Sequence, residues 1–397
     1  MEACYSLICG IETMMNYPVY LDYNATTPCD PRVLDTMLPY FSTHFGNAAS
    51  KTHAFGWVAE EAVAVAREQV ADLIGADPTE IIFTSGATEA INLALQGVYE
   101  TYRIKGNHII TLETEHKAVL DTCDLLERKG ASISRLKVDA NGLPDLAALE
   151  KAIRPDTILI AMMYANNETG TIMPVQEVGK LAKQHNILFF TDATQAIGKI
   201  PVDVLNDGID LLALSAHKLY GPKGAGALYV RRKNPRVKLT PLQYGGGHER
   251  GLRSGTLNVP GIAGLGKACA ICKNELQDER IRLSQLRDDL LEGLLATGHA
   301  FLNGTKDQLL PHVANVSFTF PGADQLIARL NQYIAVSAGS ACTSASLEPS
   351  HVLKAMGISD EAAAGSIRFS LGRFTTEQEI SYSLEKIKEV IMEMNTS

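Results

Sequence analysis

Apolar and polar positions change rhythm several times along the chain. "WVAEEAVAVAREQVADLIG" (57–75) and "AINLALQGVYETY" (90–102) repeat apolar residues at helical spacing. Between and after them stand short, continuous apolar runs: "EIIFT" (80–84), "HIITL" (108–112), "TILIAMMYA" (157–165), "NILFFTDA" (186–193) and "DLLALSAHK" (210–218). Runs of that length without polar alternation predict strands buried on both faces. Their alternation with helices such as "PVQEVGKLAKQH" predicts a mostly parallel sheet covered by helices. After about residue 275 the character changes. Leu283, Leu286, Leu290 and Leu294 form one stripe of a long helix, followed by "HVANVSFTF", "DQLIARLN", "SIRFSL" and a last amphipathic helix from about Thr376. This reads as an α/β protein with a large domain over 28–275. A smaller α+β domain is built from 1–27 and 276–397.

With 397 residues, 46% of them apolar, the chain can bury a large core. A formal net charge of −9 argues against nucleic acid as a direct partner. No apolar run reaches the ~20 residues of a membrane span, and the start lacks the charged and small-residue features of a signal peptide. Seven cysteines, odd in number and irregularly spaced, fit a reduced, cytoplasmic protein better than a disulfide framework. "CAIC" (269–272) has metal or redox spacing, but it lies inside a helical pattern with no second pair and reads as helix.

Three strand ends carry chemistry. In "TSGATEAINLAL" (84–95) a Ser-Gly turn opens a helix, the arrangement that leaves N–H groups free for a phosphate. In "FFTDATQAIGK" (189–199), Asp192 ends an apolar strand, where a carboxylate must be capped or paired with a cation. In "LLALSAHKLYGPKGAGALYVR" (211–231), Ser215, His217 and Lys218 end another strand. A partly desolvated lysine there can form a Schiff base. A phosphate cradle, an acidic partner for a pyridinium nitrogen and a Schiff-base lysine are together what pyridoxal 5'-phosphate requires. A fourth stretch, "SAGSACTSASLEP" (337–349), places Cys342 among small residues that could not bury it.

The chain resembles the group I cysteine desulfurases of the IscS/NifS type, within the fold-type I pyridoxal phosphate enzymes, from about Val19 to about Lys388. The resemblance is carried by "YLDYNATTP", "FGNAASKTH", "TEHKAV", "ANNETG", "TDATQAIGK", "SAHKLYGPKGAGALYVRR", "GGGHERGLRSGT", "SAGSACTSASLEPSHVL" and "SIRFSLGRFTTEQEI". It implies a large domain with a seven-stranded, mostly parallel sheet. It implies that Lys218 carries the cofactor and shuttles a proton, that Asp192 pairs with the pyridine nitrogen, and that Gln195 binds the ring hydroxyl. His116 would stack on the ring and serve as an acid/base. Ala87, Thr88, Ser215 and His217 would hold the phosphate, joined by Thr256 from the other subunit of a homodimer. Asn167 and Arg368 would clamp the carboxylate of L-cysteine.

Cys342, on a loop of about 337–350, would attack the substrate sulfur and leave L-alanine. The persulfide would then pass to an acceptor or iron–sulfur scaffold protein. The first 15 residues have no counterpart in this pattern. The chain ends soon after the last helix, where many relatives carry a longer scaffold-docking tail. Two alternatives stay open at this level: another fold-type I enzyme, such as a selenocysteine lyase or an aminotransferase, and a sulfur-relay protein without cofactor chemistry. The presence of Cys342 bears on the first; the presence of Lys218, Asp192 and Arg368 bears on the second.

Overall fold

The structure is a computed structural model that describes residues 18–338 and 350–396. Strand β1 (Val19–Tyr20) and helix α1 (Pro31–Met37) lead into α2 (Ala54–Ile74). Then follow β2 (Ile81–Thr84), α3 (Ala87–Tyr102), β3 (His108–Leu112), α4 (Lys117–Arg128), β4 (Ser132–Leu136) and β5 (Thr157–Ala161). After them come α5 (Val175–Gln184), β6 (Leu188–Asp192), β7 (Leu211–Ser215) and β8 (Gly226–Val230).

Strands β2 to β8 form one seven-stranded sheet in the order β2-β8-β7-β6-β5-β3-β4. Only β8 runs against its neighbours. The continuous apolar runs have a simple cause, because each strand feeds two cores. Phe83, Ile110, Ile160, Phe189, Leu212 and Leu214 face one core, with α2 and α5. Ile82, Ile109, Leu159, Phe190, Leu211 and Ala213 face the other, with α3 and α4. Both faces are therefore apolar at period two, and no polar alternation remains to be seen.

Helix α6 (Val259–Leu295) is 37 residues long. Its first half, including Cys269 and Cys272, packs in the first sheet core. Its second half presents the expected leucine stripe to a third core. That core is closed by β9 (Ala300–Leu302), β10 (Val313–Phe318), β11 (Ile334–Ala335), β12 (Ser337–Ala338), β13 (Ser366–Ser370) and the terminal helix α8 (Glu377–Thr396). Between β12 and β13 lies the short helix α7 (His351–Ala355). Strands β12, β13, β10 and β9 form an antiparallel sheet, and β1 returns from the far end of the chain to pair with β11. Burying each leucine of the stripe contributes about 2 kcal/mol.

A polar cluster ties this third core to the large sheet. Arg373 donates to Asp30 at 2.7 Å and to Glu279 at 2.9 Å. Its guanidinium lies 4.3 Å from the ring centre of Tyr220, and the Lys199 ammonium lies 4.2 Å from that centre. The Tyr220 hydroxyl accepts from Lys199 Nζ at 3.1 Å and from the Arg373 backbone N–H at 2.6 Å. Asp30 also caps α1, and its hydrogen bonds to Arg32 and Arg373 hold its carboxyl well below the usual carboxylate range.

Arg373→Ala leaves Asp30 and Glu279 buried without their shared cation. The expected loss of unfolding free energy is about 3 kcal/mol, read as a lower midpoint in urea at an unchanged slope. A change within 0.5 kcal/mol would mean that the cluster does not join the two parts.

Candidate active site

Because β2, β3, β5, β6 and β7 run in the same direction, their carboxyl ends meet at one edge of the sheet, where open α/β sheets place ligands. A cavity of about 560 Å³ opens there, lined among others by Asn24, His116, Asp192, Gln195, Lys218 and Arg368.

At one end, β2 finishes at Thr84 and Ser85-Gly86 turns the chain into α3. Gly86 is the N-cap and supplies no side-chain cap, so the first N–H groups, at Ala87 and Thr88, lack one. The cradle is narrow. A Cβ on Gly226 would stand 2.6 Å from the Gly86 Cα and 2.7 Å from the Leu214 carbonyl oxygen, so only glycine lets β8 approach this turn. Glu89 would repel an anion here, but its carboxylate is engaged by Arg253 at 2.8 Å and by the Ser85 N–H at 2.7 Å. Ser215, at the end of β7, lines the same end. His217 Nδ1 faces the Thr26 hydroxyl at 3.2 Å. Burial, with the Lys218 and Lys223 charges, pushes the His217 pKa down to about 4. Its ring is therefore neutral at pH 7.

Lys218 closes the short turn after β7, and its ammonium donates to the backbone carbonyls of Asn24 and of Ala25, the latter at 2.6 Å. Asp192 is the last residue of β6; its Oδ1 accepts from the Thr194 N–H at 3.0 Å and from the Thr194 hydroxyl at 2.5 Å. Gln195 Nε2 donates to the Asn24 carbonyl at 3.1 Å. His116 is the N-cap of α4, its Nδ1 accepting from the Ala118 N–H at 3.1 Å. A helix N-terminus for phosphate, a carboxylate for a pyridinium nitrogen, a lysine and a flat ring line one cavity. This donor set fits pyridoxal 5'-phosphate.

At the other end Arg368, on β13, is 2% exposed. It donates from Nη1 to the Asn167 carbonyl at 3.0 Å and from Nη2 to Asp22 Oδ1 at 2.7 Å. Among the described residues its Nε–H is buried with no hydrogen-bond partner. Arg368 also lines the cavity, where a guanidinium suits an incoming carboxylate. Asn167 lines the same end. Glu168, nearly fully buried, holds the Ser350 hydroxyl, and burial pushes its pKa up to about 7.

Most of the residues expected from the sequence thus share one cavity: Ala87, Thr88, His116, Asn167, Asp192, Gln195, Ser215, His217, Lys218 and Arg368. Thr256 does not; it is exposed and does not line its own chain's cavity. Cys342 falls outside the described residues. Reading the sequence missed Asn24, whose carbonyl holds both Lys218 and Gln195, and Asp22 and Glu168. It also missed Glu115, whose burial drives its pKa well above the usual range behind His116. Asn24 and Asp22 sit inside "YLDYNATTP", but nothing in their spacing announces a contact some 340 residues away.

Between the ordinary histidine value of 6.5 and about 4, the unfolded chain takes up a proton at His217 that the native site refuses. Stability should therefore fall as pH drops through that window. His217→Gln should flatten that part of the curve in urea titrations, and an unchanged slope would show a charged native ring.

The Aminotransferase class-V family profile matches residues 19–382. The chain is 54% identical over 379 residues to "Cysteine desulfurase IscS" of Pectobacterium carotovorum subsp. carotovorum (strain PC1), covering 95% of this chain and 93% of that protein. It is 53% identical over 385 residues to the protein of the same name from Anaeromyxobacter dehalogenans (strain 2CP-C), covering 96% and 94%. Among solved structures it is similar to a "NIFS-like protein" (TM-score 0.88, 42% identity, 94% of this chain and 99% of that one). It is also similar to "SspA in complex with cysteine" (TM-score 0.79, 38% identity, 90% and 100%). Site, fold and relatives agree: the chain belongs to the class-V aminotransferase family and, within it, to the pyridoxal phosphate-dependent cysteine desulfurases of the IscS type.

Proposed function

We propose that this desulfurase takes L-cysteine with its carboxylate on Arg368 and Asn167 and passes the sulfur to Cys342. One observation carries the reading. The segment that holds Cys342 is bracketed by two serines, each held by a carboxylate close to Arg368. Ser337 Oγ donates to Asp22 Oδ2 at 2.9 Å, and Asp22 is the partner of Arg368. Ser350 bonds to Glu168, which feels the Arg368 charge. Both ends of the segment are therefore tied beside the substrate's expected carboxylate.

Bound pyridoxal phosphate supplies an electron sink that makes the substrate's Cα–H acidic and its sulfur electrophilic. Lys218 is the base at Cα, directed there by the carbonyls of Asn24 and Ala25. Asp192 meets the ring nitrogen, Gln195 the ring hydroxyl, and His116 the ring face, where it also serves as acid/base. Ala87, Thr88, Ser215 and neutral His217 bind the phosphate. Overall, the substrate C–S bond breaks and an S–S bond forms: L-cysteine and the Cys342 thiol give L-alanine and the Cys342 persulfide. The thiolate is the reactive form. Exchange with an acceptor cysteine then moves the sulfur on, toward iron–sulfur assembly or thiolation.

We also assign a homodimer. Phe41, Phe45, Phe55 and Trp57 are each more than half exposed, and the rings of Phe45 and Phe55 stand 5.3 Å apart. Exposed aromatic side chains of this kind favour a partner. It fits a second copy that brings Thr256, exposed on its own chain, to the phosphate. We keep the division into a large domain over 28–275 and a smaller one from 1–27 and 276–397 as part of this reading; residue 275 lies within α6. A cytoplasmic setting agrees with the free thiols Cys29, Cys123, Cys269 and Cys272, and among the described residues no helix is long and apolar enough to cross a membrane.

With cofactor and a thiol reductant present, the parent should release L-alanine from L-cysteine, and Cys342→Ala should lose nearly all of that activity, on the order of 100-fold or more. Equal alanine from both proteins would replace the desulfurase step with a lyase. In sedimentation, the parent should run at twice the chain mass and Phe55→Asp should shift it toward one chain. A monomeric parent would remove Thr256 from the site.

A further inference from the structure

The ion pair between Asp22 and Arg368 does more than satisfy a buried charge. Asp22 is fixed from several sides. Its backbone forms a parallel bridge to Ser370, two residues from Arg368 on β13, and it follows β1, which is paired to β11. Both carboxylate oxygens are committed, Oδ1 to Arg368 Nη2 at 2.7 Å and Oδ2 to Ser337 Oγ at 2.9 Å. The carboxylate therefore cannot swing away when another anion arrives.

The guanidinium is fixed in turn. Nη2 is held by Asp22 and Nη1 by the Asn167 carbonyl at 3.0 Å, and among the described residues Nε–H has no partner. The nearby Glu168 has its pKa pushed up to about 7 by burial, whereas Asp22 is in direct contact with the guanidinium at 2.7 Å.

We propose that Asp22 is a positioning residue that sets the strength of the carboxylate site, orienting Arg368 while offsetting part of its charge. The proposal rests on Arg368 being the substrate-carboxylate clamp. The chemical logic is that L-cysteine and L-alanine present the same carboxylate. An arginine without a counter-charge would grip both alike, and uniform tight binding slows release without helping the chemistry. Asp22 keeps that grip weak while holding the donors in place.

Asp22→Asn separates the two effects. The amide oxygen still accepts from Nη2, and the amide N–H₂ can donate to Ser337 Oγ, so geometry persists while the charge is removed. The probe is 3-mercaptopropionate, which keeps the carboxylate and thiol of L-cysteine and lacks the amine. Cysteamine, which keeps the amine and thiol and lacks the carboxylate, is its control. Calorimetry on the pyridoxal phosphate-loaded protein should show Asp22→Asn binding 3-mercaptopropionate about tenfold more tightly, with cysteamine moved less than about twofold. In turnover, the KM for L-cysteine should fall and inhibition by L-alanine should strengthen.

Unchanged or weaker 3-mercaptopropionate binding, or an equal shift for cysteamine, would overturn the proposal. Asp22→Ser, which also removes the charge, gives the same reading should the asparagine variant fail to fold. Arg368→Gln separates the two levels. If it leaves 3-mercaptopropionate binding intact, the clamp itself is misassigned and the proposal falls with it. If it abolishes binding while Asp22→Asn changes nothing, only the role of Asp22 is lost.

Discussion

Two side chains from different strand ends, Lys218 and Gln195, donate to one backbone oxygen, that of Asn24. The same residue's N–H donates to Ser370 Oγ at 2.9 Å, its amide N–H₂ to the Asn167 carbonyl at 3.0 Å, and its amide oxygen faces His312 Nε2 at 2.9 Å. Asn24 is 1% exposed, and each of these polar groups would be costly to strand. The segment after β1 thus crosses between the two parts of the molecule and holds the Lys218 ammonium from the far side. The position of the Lys218 ammonium is a property of both cores together.

The charges around the cavity are sorted by what each must meet. The end proposed to take the phosphate has a helix N-terminus, a neutral imidazole and a glutamate already bound by arginine. The end proposed to take the substrate carboxylate has one buried guanidinium with its counter-charge built in. Burial and pairing are used in opposite senses within one cavity, and each sense follows from the ligand group expected there.

Much of this was legible in the sequence, for a physical reason. A strand buried on both faces writes a continuous apolar run, so the residue that follows it is marked. Asp192, Ser215 and Lys218 could be singled out that way, as could the turn before Ala87. Strand β4 was not visible because it is the half-buried edge of the sheet, with the polar sequence "SISRL". Strand β8 was hidden inside a glycine-rich stretch whose glycine serves close approach. Arg368 and Asn167 lie 201 residues apart and meet only through the fold, so the family resemblance alone pointed to them. His116 would pass for a surface residue at a helix start; it does cap a helix, and its ring nevertheless lines the cavity. Asn24 acts largely through its main chain, which no choice of side chain advertises.

The long helix α6 belongs to two cores at once. At 1.5 Å per residue it spans about 55 Å, and its apolar face changes partner between Cys272 and Leu283. One residue added in that interval would rotate the leucine stripe by about 100° against the first half and lift it 1.5 Å. A length change there would also carry Glu279 out of reach of Arg373. The protein's two parts are therefore inherited as a single unit of fixed length, although each has a core of its own.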